Sequence, residues 1–200
     1  MPEVIDLAFE LEKAIEMSVE VIKKDGVILI PTETVYGLSC CVKSETAIDR
    51  ISRIKAREVG KNYIVLISGF HQLDSMGLKM NENAKILADR FWPGPLTLIL
   101  PDSKGSAIAV RYSSVAFIQR LIAQSCPLIS TSANLSGEKS PALFSEIDKN
   151  ILDKVDLAVK GGALPGIPST IVDMQNESPN LVRQGALEFD NVISVLKKYS

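Results

Sequence analysis

Residues 27–38 read VILIPTETVYGL, and this stretch sets the pattern of the whole chain. Its four consecutive apolar residues, Val27 to Ile30, are typical of a strand that is buried on both faces. Pro31 ends the strand, and a polar loop over 32–34 follows it. In open α/β sheets, loops that leave the carboxyl ends of strands are the usual place for ligand-binding side chains. The stretch therefore predicts a buried strand with a polar site at its exit.

Outward from this strand, helical and extended patterns alternate along the chain. An amphipathic helix is predicted over 6–24, because apolar residues recur there at helical spacing until Asp25 and Gly26 end it. Further helices are predicted over 45–55, 81–91, 114–124, 144–152 and 188–198. Further strands are predicted over 63–67, 96–100, 107–110, 127–129, 156–160, 170–173 and 180–183. The alternation indicates an α/β sheet with helical cover, and we expect residues 1–200 to form a single domain.

A second polar segment, STSANLSG over 130–137, follows a later strand and offers four hydroxyls and one amide to an anionic ligand. Alone, it is equally well explained as a polar turn that caps a helix. A third segment, KAR over 55–57, adds cationic side chains beside the strands. If the segments converge, they form a pocket in which hydroxyls face five cations: Lys55, Arg57, Lys61, Arg111 and Arg183. Such a pocket suits a phosphorylated, multiply anionic ligand.

The composition narrows the classes of function. Lys and Arg number 22 against 24 Asp and Glu, and the resulting net charge of −2 argues against a surface coated in basic charge for nucleic acid. No apolar run approaches membrane-spanning length, and the acidic, amphipathic N-terminus is unlike a signal peptide. Cys40, Cys41 and Cys126 lack the spacing of a zinc site. Their odd number suggests reduced, buried thiols in a cytoplasmic protein.

Several familiar catalytic motifs are excluded. The chain contains neither a Walker loop nor a GxGxxG dinucleotide motif. Its single histidine, His71, makes a histidine-based metal site or a Ser-His-Asp triad a poor explanation. Glu33 lies between two threonines and is interpreted as a group that orients backbone or a neighbouring cation rather than as a base. The residues favour electrostatic stabilisation and positioning over a covalent nucleophile.

Seven ordered motifs give the chain a resemblance to a known family. They are PTETVYGL at 31–38, KAR at 55–57, FWPGPLTLIL at 91–100, AVR at 109–111, PLISTSANLSG at 127–137, PSTIVD at 168–173 and LVRQG at 181–185. In this order they resemble the YrdC/Sua5 family over nearly the whole chain, in the short form without the extra C-terminal domain of some relatives. The resemblance implies a twisted, open, mixed α/β sheet that curves around a concave basic cleft.

The activity that this resemblance implies is the synthesis of L-threonylcarbamoyladenylate. L-Threonine, bicarbonate and ATP would give the adenylate and pyrophosphate, with Mg²⁺ bound through the phosphates and no metal ligands from the protein. The adenylate would serve the N6-threonylcarbamoyl modification of adenosine 37 in tRNA. The implied partners are a threonylcarbamoyl transferase complex that receives the adenylate, and tRNA, for which direct contact is left open. The protein would be cytoplasmic and meet no membrane.

The same resemblance assigns the site residues. The catalytic set is Lys55, Arg57 and Asn134. The threonine set is Thr34, Arg111, Ser130 and Ser169, with Arg111 on the carboxylate. The ATP set is Arg57, Lys61, Ser132, Ser140 and Arg183. Thr32 and Tyr36 are also expected to line the pocket.

The segment 58–66 departs from the family pattern. Glu58 follows the KAR motif where proline is usual, Asn62 and Tyr63 stand where Pro-Leu is frequent, and Leu66 stands near a position where many members have histidine. Two alternatives therefore stay open: a paralogous enzyme with a different carbamoyl substrate, and an RNA-binding module that does not catalyse.

The Gly- and Pro-rich stretch GGALPGIP over 161–168 is predicted to be a mobile loop. Its glycines allow backbone motion, while Pro165 and Pro168 limit the range of that motion. We expect the loop to close over the bound adenylate and to bring Ser169 to the threonine.

Overall fold

The computed structural model describes residues 1–56, 63–135 and 137–199. The strands of the described residues are β1 (Glu3–Asp6), β2 (Ile28–Pro31), β3 (Tyr36–Cys41), β4 (Ile64–Ile67), β5 (Leu96–Pro101), β6 (Ala107–Tyr112), β7 (Leu128–Ser132), β8 (Leu157–Lys160), β9 (Thr170–Asp173) and β10 (Asn180–Arg183). The helices are α1 (Leu11–Lys23), α2 (Glu45–Ile54), α3 (His71–Ser75), α4 (Glu82–Phe91), α5 (Ala116–Gln124), α6 (Lys149–Leu152) and α7 (Phe189–Leu196), with a short 3₁₀ helix at Phe144–Glu146. The predicted α/β class is confirmed.

The strands form one ten-stranded mixed sheet in the order β1-β8-β2-β3-β7-β4-β6-β5-β9-β10. The pairs β1–β8, β8–β2, β4–β6 and β5–β9 are parallel, and the other neighbours are antiparallel. It follows that β2 and β7 run in one direction while β4 and β6 run in the opposite direction. The carboxyl ends of these strands therefore do not all meet at one edge of the sheet.

Helices cover the two faces of this sheet unequally. On one face, α2 and α6 pack on β2, β3, β7 and β8, while α3, α4 and α7 pack on β4, β5, β6 and β9. On the other face, α1 and α5 pack on β2, β4, β7 and β8. Within the described residues, no helix adds an apolar cluster to β5, β6 and β9 on this second face. We call this part of the second face the uncovered half.

Several elements differ from the prediction. Residues 3–6 form β1 beside β8, and α1 begins only at Leu11, so a helix from residue 6 was wrong. The short helix α3 and the strand β3 were missed, although Tyr36, Leu38 and Cys40 of β3 alternate with the small residues Gly37 and Ser39. Antiparallel pairing with β2 and β7 holds β3 in place. The predicted helix over 144–152 is divided into the 3₁₀ turn and α6.

The strand β7 is longer than the sequence predicted. It continues through Ser130 to Ser132, so these two serines are strand residues rather than loop residues. Their hydroxyls are consequently fixed by the register with β3 and β4, not by the local conformation of a turn.

The expectation of three reduced thiols was wrong for two cysteines. Cys41 and Cys126 are paired as a disulfide, 85 residues apart in sequence with 6.0 Å between their Cα atoms. The pairing of β3 with the start of β7 brings these residues together, which their spacing in the sequence could not reveal. Cys40 is a buried free thiol, and burial raises its pKa to about 12. Across the described ranges, no helix is both long and apolar enough to cross a membrane.

Candidate functional site

A row of side chains crosses the second face of the sheet, from strands that lie under α1 and α5 into the uncovered half. Ser130 of β7 is paired with Ile64 of β4, and Ile64 is paired with Ala109 of β6. Because paired residues on neighbouring strands point to the same side of a sheet, Ser130 and Arg111 project from one face. By the same register the row continues across β5, β9 and β10 with Thr97, Ile171 and Arg183.

A cavity of about 300 Å³ opens on this row. Its volume is sufficient for a small ligand, since ligand pockets start at about this size. Nine of the predicted site residues line it: Thr34, Lys55, Arg111, Ser130, Ser132, Asn134, Ser140, Ser169 and Arg183. Thr32 lines it as well. The two remaining predicted residues, Arg57 and Lys61, lie outside the described residues.

The predicted placement at strand exits describes only part of this cavity. Thr34 follows β2, and Asn134 follows β7, as expected. Ser130 and Arg111, in contrast, point from within their strands, and Ser169 precedes β9 rather than following a strand. The reason is the mixed sheet, in which the exits are divided between two edges while one face stays uncovered.

The PTET turn is closed by the Thr32 hydroxyl. It donates to the carbonyl of Val35 at 2.7 Å and accepts from the backbone N–H groups of Thr34 and Val35, each at 3.2 Å. Its oxygen also lies 2.9 Å from the Thr34 hydroxyl oxygen. Either hydroxyl could donate in this contact, and in both cases the Thr34 oxygen keeps at least one lone pair that can accept from a cation.

Arg111 is that cation. Its Nη1 lies 3.4 Å from the Thr34 hydroxyl, and its Nε lies 2.9 Å from Oε1 of Glu33. Both charged side chains are nearly buried, at 5% exposure for Arg111 and 10% for Glu33. The other Glu33 oxygen accepts from the hydroxyl of Ser113 at 2.7 Å. The interpretation of Glu33 as a group that orients a neighbouring cation fits this geometry.

Two arginines of the row, Arg111 and Arg183, line the cavity, and no acidic side chain of the described residues lines it with them. Burial lowers the pKa of Arg111, and the nearby Glu33 carboxylate opposes that change. Burial also lowers the pKa of Arg183, and the positive charge of Arg111 lowers it further. Burial is the larger cause for both arginines, and an anion in the cavity would stabilise the charged form of each.

Lys55 holds the STSAN segment in place. Its ammonium donates to the carbonyls of Ser132 at 2.5 Å and Asn134 at 2.7 Å, and to Oδ1 of Asn134 at 3.3 Å. The Asn134 amide in turn donates to the carbonyls of Leu135 at 2.9 Å and Glu138 at 2.6 Å. Lys55 and Asn134 thus form one network that shapes the rim of the cavity, and their catalytic role stays a prediction.

Ser169 lines the cavity and is bonded to Thr97, a residue behind it that was not predicted. Its hydroxyl lies 2.8 Å from that of Thr97, and both side chains are fully buried. Arg183 donates through Nε and Nη2 to the Ser169 carbonyl, at 3.1 and 2.8 Å. Ser169 therefore lines the cavity already, without any movement of the preceding loop.

The predicted role of Tyr36 as a lining residue was wrong. Its ring is fully buried, and its hydroxyl donates to the Gly161 carbonyl at 2.8 Å and accepts from the Gly161 N–H at 2.9 Å. Tyr36 ties down the start of the 161–168 loop instead. Two backbone bonds hold the loop further along, from Leu164 to the Ala142 carbonyl and from Gly166 to the Thr34 carbonyl.

Two further residues near the cavity carried weak signals in the sequence, and a third carried none. Thr97 is a lone polar residue within an apolar strand, which is the pattern of a side chain that faces a site. Tyr63 lines the cavity, with its hydroxyl 2.7 Å from that of Ser52. Ser113 gave no local signal, since only the tertiary structure brings it to Glu33. The unusual Leu66 is fully buried in the core under α5, directly paired with Arg111.

The arrangement suits binding of anions with hydroxyl recognition beside them. Guanidinium groups bind carboxylates and phosphates through parallel hydrogen bonds, and the surrounding hydroxyls both donate and accept. Among the described residues, no group of three or more His, Cys, Asp or Glu could hold a metal ion. The residues therefore fit a magnesium ion only if phosphate oxygens supply its ligands.

Comparison with known sequences gives consistent matches. Residues 20–185 match the model of the Sua5, YciO and YrdC family, which is described as "Telomere recombination". The chain is 33% identical to the threonylcarbamoyl-AMP synthase of Pyrococcus abyssi over 92% of its own length and 58% of that protein. It is 31% identical to a putative threonylcarbamoyl-AMP synthase of Methanocaldococcus jannaschii over 89% of its length and 88% of that protein. The chain thus spans little more than half of the first relative and most of the second.

Two solved structures share the fold. The structure of P. abyssi Sua5 complexed with L-threonine matches with a TM-score of 0.89 and 32% identity, over 98% of this chain and 61% of that chain. The structure of E. coli YciO matches with a TM-score of 0.82 and 26% identity, over 94% of this chain and 98% of that chain. The α/β architecture with a mixed, twisted open sheet is therefore common to all three proteins.

Proposed function

The chain belongs to the Sua5/YciO/YrdC family, and from that premise we propose that it joins L-threonine, bicarbonate and ATP into threonylcarbamoyl-AMP and pyrophosphate. The names of the relatives from P. abyssi and M. jannaschii support this reaction. The P. abyssi structure with L-threonine supports one of the three substrates. The reaction would take place in the cavity that contains nine of the predicted site residues.

The observation that carries this proposal is the open outer edge of Arg111. Glu33 faces its Nε, and within the described residues its terminal nitrogens have only the long contact to Thr34. A guanidinium with this edge free binds a carboxylate through two parallel hydrogen bonds. The α-carboxylate of L-threonine fits that requirement, in a nearly buried place where the charge pair is poorly screened.

The hydroxyls around Arg111 would recognise the remaining polar groups of threonine. Thr34, Ser130 and Ser169 stand on different sides of the cavity and offer both donors and acceptors. A site built to pair with the threonine hydroxyl rejects valine, because the unpaired polar groups then cost about 1–3 kcal/mol.

The nucleotide would extend across the cavity. Ser132 and Ser140 line it on the side of the STSAN segment, and Arg183 lines it beside Ser169, with a positive charge near that of Arg111. Phosphate oxygens would relieve the repulsion between the two arginines. Arg57 and Lys61 are the further phosphate ligands that the sequence predicts.

The chemistry needs positioning and charge more than a covalent nucleophile. The neutral amine of threonine takes up carbon dioxide from bicarbonate to give a carbamate. A carbamate oxygen then attacks the α-phosphorus of ATP, the bond to the bridging oxygen breaks, and pyrophosphate leaves. Negative charge develops on the phosphoryl oxygens, which Arg57 and Arg183 would stabilise. A magnesium ion on the phosphates would neutralise the leaving group.

Lys55 and Asn134 would act on this step through the shape of the STSAN segment. Their bonds hold the backbone carbonyls of Ser132, Asn134 and Glu138, and the position of Ser132 places its hydroxyl at the cavity. A preorganised rim needs no reorganisation when charge develops, which is the origin of most electrostatic catalysis.

The product implies a place for the protein in tRNA modification. A threonylcarbamoyl-adenylate is a labile mixed anhydride, so a transferase that passes the threonylcarbamoyl group to adenosine 37 of tRNA must consume it promptly. We propose that the protein works in the cytoplasm and delivers the adenylate to such a transferase complex.

The test is pyrophosphate release by the purified protein with ATP, bicarbonate and L-threonine. Release should require all three substrates, and valine should not replace threonine. Release that persists without threonine, or none under any condition, would contradict the proposal.

A second candidate is favoured by the match to E. coli YciO, which has nearly the same length as this chain. Together with the departures at Glu58, Asn62, Tyr63 and Leu66, it supports a paralogous enzyme with a different carbamoyl substrate. In the same assay, such an enzyme would release pyrophosphate with another amine substrate and not with threonine. An RNA-binding protein without catalysis would release none and bind RNA with a steep dependence on salt.

A further inference from the structure

A buried series of polar contacts runs from the start of α5 to Arg111. The Ser113 hydroxyl donates to Oε2 of Glu33 at 2.7 Å, and Oε1 of Glu33 lies 2.9 Å from Nε of Arg111. Ser113 is itself held, because its hydroxyl accepts from the Val115 N–H at 3.3 Å and its carbonyl accepts from the Gln119 amide at 2.8 Å. The first turn of α5 is thereby connected to the cavity.

We propose that Ser113 and Glu33 are positioning residues for the substrate carboxylate, and that they act by fixing the Arg111 guanidinium. Glu33 takes the Nε side of the guanidinium, so that its terminal nitrogens are directed to the cavity. Ser113 fixes the Glu33 carboxylate in turn. The inference rests on the proposed function, since it takes the carboxylate of L-threonine as the ligand of Arg111.

The charges explain why Arg111 needs Glu33. Arg111 is nearly buried and lies within range of the positive charge of Arg183. A buried cation without a counter-ion is strongly disfavoured. Glu33 offsets both the loss of solvation and the repulsion, and it does so from the side of Arg111 that faces away from the ligand.

The geometry explains why Glu33 needs Ser113. Although Nε of Arg111 and Oε1 of Glu33 are close, neither atom makes an aligned hydrogen bond within the described residues. The attraction between them is therefore one of charge, which has little directional preference. Among the described residues, the hydrogen bond from Ser113 is the one directional contact of the Glu33 side chain. Ser113 therefore determines where the Glu33 charge is placed.

The two residues have separable effects on binding. Ser113→Ala keeps both charges and removes only the directional contact, so we expect the Kd for L-threonine to rise by about three- to tenfold. Glu33→Gln keeps the size of the side chain and removes the charge, so we expect a rise of more than about tenfold. In both variants kcat at saturating threonine and the KM for ATP should stay within about twofold of wild type, because neither residue touches the reacting atoms.

Isothermal titration with L-threonine and steady-state pyrophosphate release test this inference, with thermal melting of each variant recorded. Ser44→Ala is the matched control, because it removes another buried serine hydroxyl that caps α2 away from the cavity. It should lower the melting temperature without changing the Kd for threonine. If Glu33→Gln does not fold, the threonine Kd of Ser113→Ala is sufficient to test the inference.

The outcomes separate this inference from the proposed function. A rise in the threonine Kd and KM of folded Ser113→Ala, with kcat unchanged, supports the positioning role. Wild-type affinity for threonine in Ser113→Ala, with melting lowered as in Ser44→Ala, overturns the role and leaves the proposed function standing. A wild-type protein that does not bind threonine at all overturns both.

Discussion

The two halves of one sheet face differ in what lies on them. Under α1 and α5, the face carries Leu66 and Leu128, both fully buried and apolar. On the neighbouring strand β6, the face carries Arg111, which is paired with Leu66. On β7, it carries Ser130, two residues after Leu128. No helix described in the structure packs an apolar cluster there. The boundary between core and site therefore passes between adjacent residues of one sheet.

The site lies on the part of the face that no described helix covers with apolar residues. Such a face carries polar groups or binds a ligand, since a wide exposed apolar face favours aggregation. Here the polar groups are partly paired with each other and partly directed to the cavity. We therefore expect changes in the covered half to alter stability and changes in the uncovered half to alter binding, and substitutions in each half test this division.

Leu121→Ala should be the most destabilising change. Leu121 of α5 is fully buried in the covered half, and such a truncation typically costs about 2–5 kcal/mol of unfolding free energy. Denaturant unfolding measures this loss. The folded fraction should keep the wild-type Kd for L-threonine. A large change in that Kd would mean that the halves are not separate.

Arg111→Lys should abolish most of the synthase activity while changing the unfolding free energy little. Lysine keeps the charge beside Glu33 but lacks the two parallel donors, so we expect kcat/KM for threonine to fall by about 100-fold. Arg120→Lys is the control, because Arg120 pairs with Glu12 on the surface of the covered half. Pyrophosphate release at varied threonine measures both. Equal activity of the two variants would mean that Arg111 does not bind the substrate.

Arg183→Gln should raise the KM for ATP by about tenfold, through the loss of one charge-assisted contact to phosphate. The change in unfolding free energy should stay below about 1 kcal/mol, because β10 is an exposed edge strand. Kinetics at varied ATP and denaturant unfolding measure the two effects. A higher KM for threonine with an unchanged KM for ATP would reverse the assignment of Arg183.

The loop over 161–168 should show the smallest effect. Its amides at Leu164 and Gly166 are hydrogen-bonded in the structure without a ligand, so we expect them to exchange slowly from the start. Addition of ATP and threonine should slow exchange only at neighbouring positions such as Ala163 and Ile167. Fast exchange at Leu164 and Gly166 that becomes slow on binding would instead support a lid that closes fully.

The sequence predicted the class of fold and most of the cavity, for physical reasons that are visible in particular residues. Continuous apolar runs such as Val27 to Ile30 identify buried strands, and clustered hydroxyls identify the STSAN segment. It did not identify β3, whose extended conformation is held by pairing with β2 and β7. Nor could it place Ser113 at the site, since only the tertiary structure brings it to Glu33, and the one signal of Thr97 was its polar side chain within an apolar strand. Tyr36 was misplaced because a strand residue next to a polar turn can point either way.

The most direct test of the central claim is a crystal structure of the protein with L-threonine bound. The account predicts the threonine carboxylate on the uncovered half of the sheet, with its two oxygens about 2.7–3.0 Å from Nη1 and Nη2 of Arg111. Glu33 should remain at Nε of the same guanidinium. Threonine bound with its carboxylate on another cation, or outside this cavity, would contradict the account.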